Sequence, residues 1–258
     1  MLVNRGGALT RVVYAEGEAA VVRARAAAGC VRLRAEAPSR GAALAAIERM
    51  RFALGTDHDL GAFHRRFRFD RLIGPVIDRR PWLRPRRRPE PFEALAWAVC
   101  EQLIDGPRAA RIERSIVRRL GSRSDCGELR SPPSAARLAG CSPAELDACG
   151  LAPKRSIALI KAAREVASGR ADLAEHEPAW QRLLAIPNIG RWTIEMLAFE
   201  GQGRDDMLPA LDVAYLKLVG VLEGLGRRAT EDEVRAFFAP YEEHAGLAGV
   251  YALHRGYI

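Results

Sequence analysis

Residues 186–196 read IPNIGRWTIEM, and the architecture of the chain turns on what this stretch does. Pro187-Asn188-Ile189-Gly190 is a turn signature too short for the backbone to bend gradually. It lies between two apolar helical patterns, PAWQRLLAI (178–186) before it and a helix beginning Arg191-Trp192-Thr193 after it. One or two of its residues need positive φ. Gly190 supplies this freely, and Asn188 is the non-glycine residue that best tolerates it, so a left-handed backbone is expected at Asn188. The amides of Ile189 to Trp192 would then face outward at a helix start, where they and the helix dipole favour an anion such as a phosphate. Taken alone, the same turn can equally be a bare connection between two helices.

Two further features lie close by in sequence. Trp192 and Met196 are four residues apart and share a helix face. They can pack into a core, or they can form a stacking wall for a flat, electron-poor ligand. Downstream, Asp212 heads the apolar helical pattern DVAYLKLVGVLEGL (212–225). Aspartate is a favoured helix cap. A carboxylate stabilised there by the helix dipole is also the group that can stabilise an oxocarbenium ion and orient a water.

Working outward, LTRVVY (9–14), AAVVRAR (19–25) and VRLRA (31–35) are short β-branched runs with hairpin-like connections, followed by the helical GAALAAIERMRFAL (41–54). These form a small N-terminal α+β unit with an antiparallel sheet, assigned to residues 1–70. From there every periodic segment is helical, and residues 71–258 are assigned to one helical domain. The basic run 64–91 ends in alternating Pro and Arg (residues 84–91) and reads as an extended linker. Helices are expected at 91–104, 107–120, 153–169 and 230–253, with short ones around SAARLAG and SPAELDACG. Ser142 with Glu145, and Thr230 with Glu233, give N-terminal start signals.

Composition bounds the answer. Apolar residues make up 48% and charged residues 28% of the 258 positions, as expected of a globular protein rather than a disordered one. No apolar run reaches the ~18 residues of a membrane helix. The N-terminus lacks the apolar segment of a secretory signal, so a cytoplasmic protein is expected. Cys30, Cys100, Cys126, Cys141 and Cys149 are odd in number and contain no CxxC pair, arguing against disulfides, common zinc sites and four-cysteine clusters. The net charge is +8, which permits a polyanionic partner. Nearly all of it is arginine, spread along the chain.

In order, EALAWAVCEQLI, IPNIGRWTIEMLAFEG and LPALDVAYLK resemble the helix-hairpin-helix DNA glycosylases, and within that superfamily the chain is most similar to the DNA-3-methyladenine glycosylase II family. The similarity covers roughly residues 60–258 and extends loosely to the N-terminal sheet. An aspartate 22 residues beyond Gly190 is the specific element of the combination. The resemblance implies a mainly α fold with a small N-terminal α+β domain. It implies Asp212 as the catalytic aspartate, Trp192 and Met196 at the base pocket, and Pro187, Asn188, Ile189, Gly190 and Arg191 as the grip on the DNA backbone. That grip often includes a monovalent cation at the backbone of Ile189 and Gly190. Gln102 and Leu103 match the pair that wedges into the gap left by a flipped nucleotide.

The partner implied is double-stranded DNA carrying damaged bases, with the protein acting at the nucleoid as a monomer. No catalytic metal and no organic cofactor are expected. Trp192 stands where lyase-competent relatives carry their lysine, implying hydrolysis of the glycosidic bond without backbone cleavage. The reading is thus a monofunctional glycosylase for alkylated purines such as 3-methyladenine. The alternatives are a non-catalytic lesion-binding protein, or a glycosylase for deaminated or oxidised bases. Three positions depart from the family pattern: Asn188 replaces a glycine, Leu211 replaces an acidic residue before the aspartate, and Glu101 replaces a small residue beside the wedge pair. Asp205 and Asp206 are the next candidates should Asp212 not be catalytic.

Overall fold

The computed structural model describes residues 3–5, 7–123 and 129–256; Cys126 lies outside them. Four strands, β1 (Val3–Arg5), β2 (Ala8–Ala15), β3 (Glu18–Ala27) and β4 (Cys30–Glu36), form an antiparallel sheet in sequence order. The three expected strands are present. β1 is an addition, three residues long and without a hydrophobic alternation that would announce it. Helix α1 (Arg40–Leu54) starts at Ser39, whose hydroxyl accepts from the Ala42 amide, and stops at Gly55 with φ 63°. It lays Ala46 and Met50 on Val13, Ala15, Ala20 and Val22 of the sheet. Alternation along β2 and β3 puts these four on one face.

The rest is helical: α2 (Gly61–Phe67), α3 (Gly74–Arg79), α4 (Pro91–Glu101), α5 (Gly106–Leu120), α6 (Ala135–Ala139), α7 (Pro143–Asp147), α8 (Pro153–Ala167), α9 (His176–Leu184), α10 (Arg191–Met196), α11 (Val213–Leu222), α12 (Glu231–Phe238) and α13 (Ala245–Leu253). They build two cores. One gathers α4 to α10, with Leu95, Ile116, Leu138, Leu159 and Leu183 fully buried. The other gathers α2, α3 and α11 to α13 around Phe63, Ile73, Phe238 and Tyr251. The expected domain boundary at residue 70 falls inside this second layer, because Phe63 and Phe67 pack there with the C-terminal helices.

Helix α4 is buried from Phe92 to Cys100, and its apolar surface goes round the whole helix rather than forming a stripe. Its buried Glu93 is kept by partners: Trp97 Nε1 donates to it at 3.0 Å, Arg11 of β2 forms an ion pair with it, and Arg88 approaches to 3.7 Å. Pairing of this kind offsets the cost of burying a charge and fastens the sheet to the central helix.

Two expectations need correction. The Pro/Arg stretch is extended, as expected, but it is a strap bound to the body and not a solvated linker. The Arg88 amide donates to the Glu200 carbonyl at 2.8 Å. Arg87 is nearly buried against Asp205 at 2.8 Å, over the Phe52 ring. Second, the segment 230–253 is not one helix. Pro240 has no N–H and its ring blocks the preceding turn, so α12 gives way to a 3-10 turn (Ala239–His244), with Glu242 at φ 45°, before α13 begins.

Candidate active site

The hairpin is built as its residue types demand. Ile186 and Ile189 are buried in the first core, while Pro187, Asn188 and Gly190 face solvent. Asn188 carries the left-handed turn with φ 69°. Gly190 does not: its φ of −107° and ψ of 178° are extended, and one positive-φ residue suffices. The Ile189 amide closes the turn onto the Ile186 carbonyl at 3.0 Å, so it is not offered outward. The amides of Gly190, Arg191 and Trp192 have no acceptor among the described residues. The expected cation cradle fits only in part. The Gly190 carbonyl already accepts from Thr193 and Ile194, leaving Ile189's without a donor among the described residues. Arg191 is largely exposed and pairs with Glu195 at 3.2 Å and Glu231 at 3.7 Å.

Helix α4 ends beside this hairpin. Gln102 Nε2 donates to the Asn188 carbonyl at 2.9 Å and to Thr193 Oγ1 at 2.8 Å. Gln102 therefore braces the hairpin instead of standing free. Leu103, next in the chain, has φ 55° and a fully exposed side chain (104%). A non-glycine residue held there costs ~1–3 kcal/mol, and an exposed leucine recovers nothing from packing. Arg155 holds the strained end from below, donating to the Cys100 carbonyl at 2.9 Å and the Gln102 carbonyl at 3.0 Å. The sequence reading missed Arg155. Its signal, a basic residue in the first turn of the helix after Pro153, is too common to single out.

Asp212 is the N-cap of α11, its Oδ1 accepting from the Ala214 amide at 2.9 Å. The other oxygen accepts nothing from the described residues. The residue lines a cleft of about 520 Å3 between the two cores, within the ~300–1,000 Å3 span of small-molecule sites. Met196, Phe199, Tyr215, Leu253 and His254 supply its apolar and aromatic walls, and Arg86, Glu101 and Glu200 a polar one. Met196 lines this cleft. Trp192 is half-buried but does not line the cleft, so the aromatic wall comes from Phe199 and Tyr215. The helix that begins at Arg191 widens after Met196 into a π turn (Leu197–Gly201), from which Phe199 and Glu200 reach the cleft. Gly201 is required there, since a Cβ would lie 2.8 Å from that of Ala94 and 2.9 Å from Pro91 Cα.

The polar wall is an ion-pair network. Glu200 accepts from Arg86 Nε at 2.9 Å and Arg88 Nε at 3.3 Å; the same arginines lie 3.5 and 3.7 Å from Glu101. Burial pushes the Glu101 carboxyl up to about 7, with Glu200 and Glu113 adding to the effect and Arg86 and Arg88 opposing it. Asp205 and Asp206 lie outside the cleft. Burial works against charge on Asp205, but His58 and Arg87 outweigh it and hold the carboxyl below its usual range. Asp206 is locked to Arg204 at 2.8 Å. Both are held in ion pairs, Asp205 with His58 and Arg87 and Asp206 with Arg204.

A two-core helical body with an N-terminal sheet, a hairpin braced against the end of α4 and an aspartate cap in the intervening cleft define a class. The fold is that of the helix-hairpin-helix DNA glycosylases. The solved 3-methyladenine DNA-glycosylase from Archaeoglobus fulgidus superposes with a TM-score of 0.84 at 21% identity, over 98% of this chain and 88% of that one. The DNA-3-methyladenine glycosylase of Bacillus subtilis (strain 168) is 26% identical over 203 residues, 76% of this chain and 67% of that protein. DNA-3-methyladenine glycosylase 2 of Escherichia coli (strain K12) is 33% identical over 142 residues, 53% of this chain and 50% of that protein. The chain therefore spans about two thirds of the first relative's length and half of the second's. No family model matches it. The chain is similar over part of its length to proteins named DNA-3-methyladenine glycosylases.

Proposed function

We propose that the protein is a monofunctional DNA glycosylase of the 3-methyladenine II type, which flips damaged nucleotides out of duplex DNA and hydrolytically releases alkylated purines. The observation that carries the reading is Asp212, a helix-capping carboxylate with one oxygen unengaged among the described residues, in a cleft of about 520 Å3. A base inside a duplex cannot be reached, and extruding it costs ~ a few kcal/mol, least where damage has weakened pairing. Leu103, outward and held by Gln102 and Arg155, is suited to fill the gap. The unpaired amides of Gly190 to Trp192 are suited to a backbone phosphate.

N-alkylation makes the purine cationic and a good leaving group, so little acid catalysis is needed. Phe199 and Tyr215 give the cleft an aromatic lining, which suits such a cation. As the glycosidic bond lengthens, positive charge grows on the sugar, and the Asp212 carboxylate stabilises it and orients the attacking water. A lyase step needs an amine nucleophile, and none of the residues lining the cleft is a lysine.

The test is single-turnover release of free base from methylated duplex DNA. Asp212→Asn should lower the rate at least ~100-fold while retaining binding to the same duplex, and no strand scission should accompany wild-type turnover. An Asp212→Asn protein as active as wild type would remove the assignment. Binding without release by wild type would favour the non-catalytic reading.

A further inference from the structure

A second cavity, of about 430 Å3, lies where α9 and α10 meet α12, the 3-10 turn and the loop at 206–208. It shares no lining residue with the cleft of Asp212. Trp180, Leu184, Ile194, Met207, Leu208 and Phe238 give it a largely apolar lining, and its volume is that of a small-molecule site. Set among them is Glu195, only 3% exposed. Its Oε1 is crowded, accepting from Arg235 Nη2 and lying 3.2 Å from Arg191 Nε. Its Oε2 is buried and has no donor among the described residues. A buried acceptor left in that state is costly, the more so on a charged group. Burial accordingly raises the Glu195 carboxyl, against the pull of Arg235 and Arg191.

The neighbouring charges are already engaged. Arg235 also donates to Glu231 at 2.6 Å, and Arg191 lies 3.7 Å from the same carboxylate. Of the other acids in the lining, Glu177 and Asp206 are held by Arg204 and Glu242 by Arg66. Four carboxylates and two guanidiniums line the cavity, so an anion is disfavoured. We propose that this cavity binds a small organic amine, its ammonium donating to Glu195 Oε2 and its apolar body lying against Ile194, Met207 and Phe238. An ammonium brings donors only and makes a charge-assisted bond to the carboxylate. A primary amine is the slimmest such head, as a covered oxygen requires. An apolar occupant alone would leave Oε2 stranded. The site is separate from the cleft and does not rest on the glycosylase reading.

The experiment titrates the full chain, without DNA, with three probes of one shape: 2-phenylethylamine, 2-phenylethanol and 3-phenylpropionate. Methyl NMR reports the place of binding. The methyls of Leu184, Ile194 and Met207 should shift, while that of Met196, in the other cleft, should not. The amine should saturate with a Kd of ~1 mM or tighter. The alcohol should bind at least ~10-fold more weakly, and the carboxylate should not saturate. Glu195→Gln should weaken the amine at least ~10-fold and leave the alcohol unchanged. Leu184 is nearly half exposed (44%), so Leu184→Ala should keep the fold and weaken amine and alcohol alike. Should Glu195→Gln not fold, the ratio of amine to alcohol affinity in wild type decides. No saturation by the amine, equal affinity for amine and alcohol, shifts centred on Met196, or undiminished amine binding by Glu195→Gln would each overturn the site. None of these results bears on base release by Asp212.

Discussion

Replacing Glu200 with glutamine removes one charge from the centre of the polar wall and leaves the backbone bond between Arg88 and residue 200 in place. Two arginine contacts are affected, with unequal weight. Arg86 is more than half exposed, so its bond is discounted for solvent screening. Arg88 is mostly buried (15%) and would keep only its longer approaches to Glu93 and Glu101, both at 3.7 Å. A hydrogen bond to a charged group contributes ~1.5–3 kcal/mol, and stranding a buried partner adds to the loss. We expect about 2–3 kcal/mol of destabilisation, or about 5–10 °C in Tm for a chain of this size. Urea unfolding followed by circular dichroism at pH 7.5 should show a lower midpoint with unchanged slope. A loss under ~0.5 kcal/mol would refute the view that this network fastens the strap. The same change removes one of the charges that raises the Glu101 carboxyl, so that carboxyl should titrate at lower pH.

Two other outcomes are expected. Asn188→Gly should leave stability within ~0.5 kcal/mol of wild type, since φ 69° suits both residues, whereas Asn188→Val should lose ~1–2 kcal/mol in the same unfolding assay. The Asp205 carboxyl is held below the ordinary value of 3.8. The unfolded chain therefore binds the proton more readily, and the stabilisation is complete above 3.8 and lost as pH falls through the lower folded value. Unfolding of wild type and Asp205→Asn from pH 6 down to pH 2.5 should show a gap of ~1–3 kcal/mol that closes below pH 3.8; a gap independent of pH would contradict the pairing with His58 and Arg87.

Local chemistry was the legible part of this sequence. Asn188 could be assigned its left-handed conformation because a Pro-x-x-Gly turn leaves few ways round. Asp212 could be assigned its cap because aspartate before an apolar run has few other local uses. The capping boxes at Ser142 and Thr230 followed for the same reason. Long-range pairing was not legible. Glu200 is 112 residues from Arg88 and Asp205 is 118 from Arg87, and no periodicity announces such partners, so the arginine run read as a linker. Trp192 and Met196 both lie in α10, yet only Met196 lines the cleft, and the Phe199 and Glu200 that join it come from the π turn that follows, which no spacing announces. Pro240 was the one local signal available and unused, and it divides what reads as a single helix.

The arginine strap also changes how the charge of +8 should be understood. Binding that releases condensed counterions depends on the cations a protein brings to phosphates, each contributing about −0.9 to the slope of log affinity against log salt on duplex DNA. Arg86, Arg87 and Arg88 are already paired with Glu200, Glu93 and Asp205 within the fold. They have few counterions to displace and little reason to exchange an internal carboxylate for a phosphate. The richest run of positive charge in the sequence is therefore spent internally, and the electrostatics of any DNA complex will be set by scattered arginines that the primary structure does not mark out.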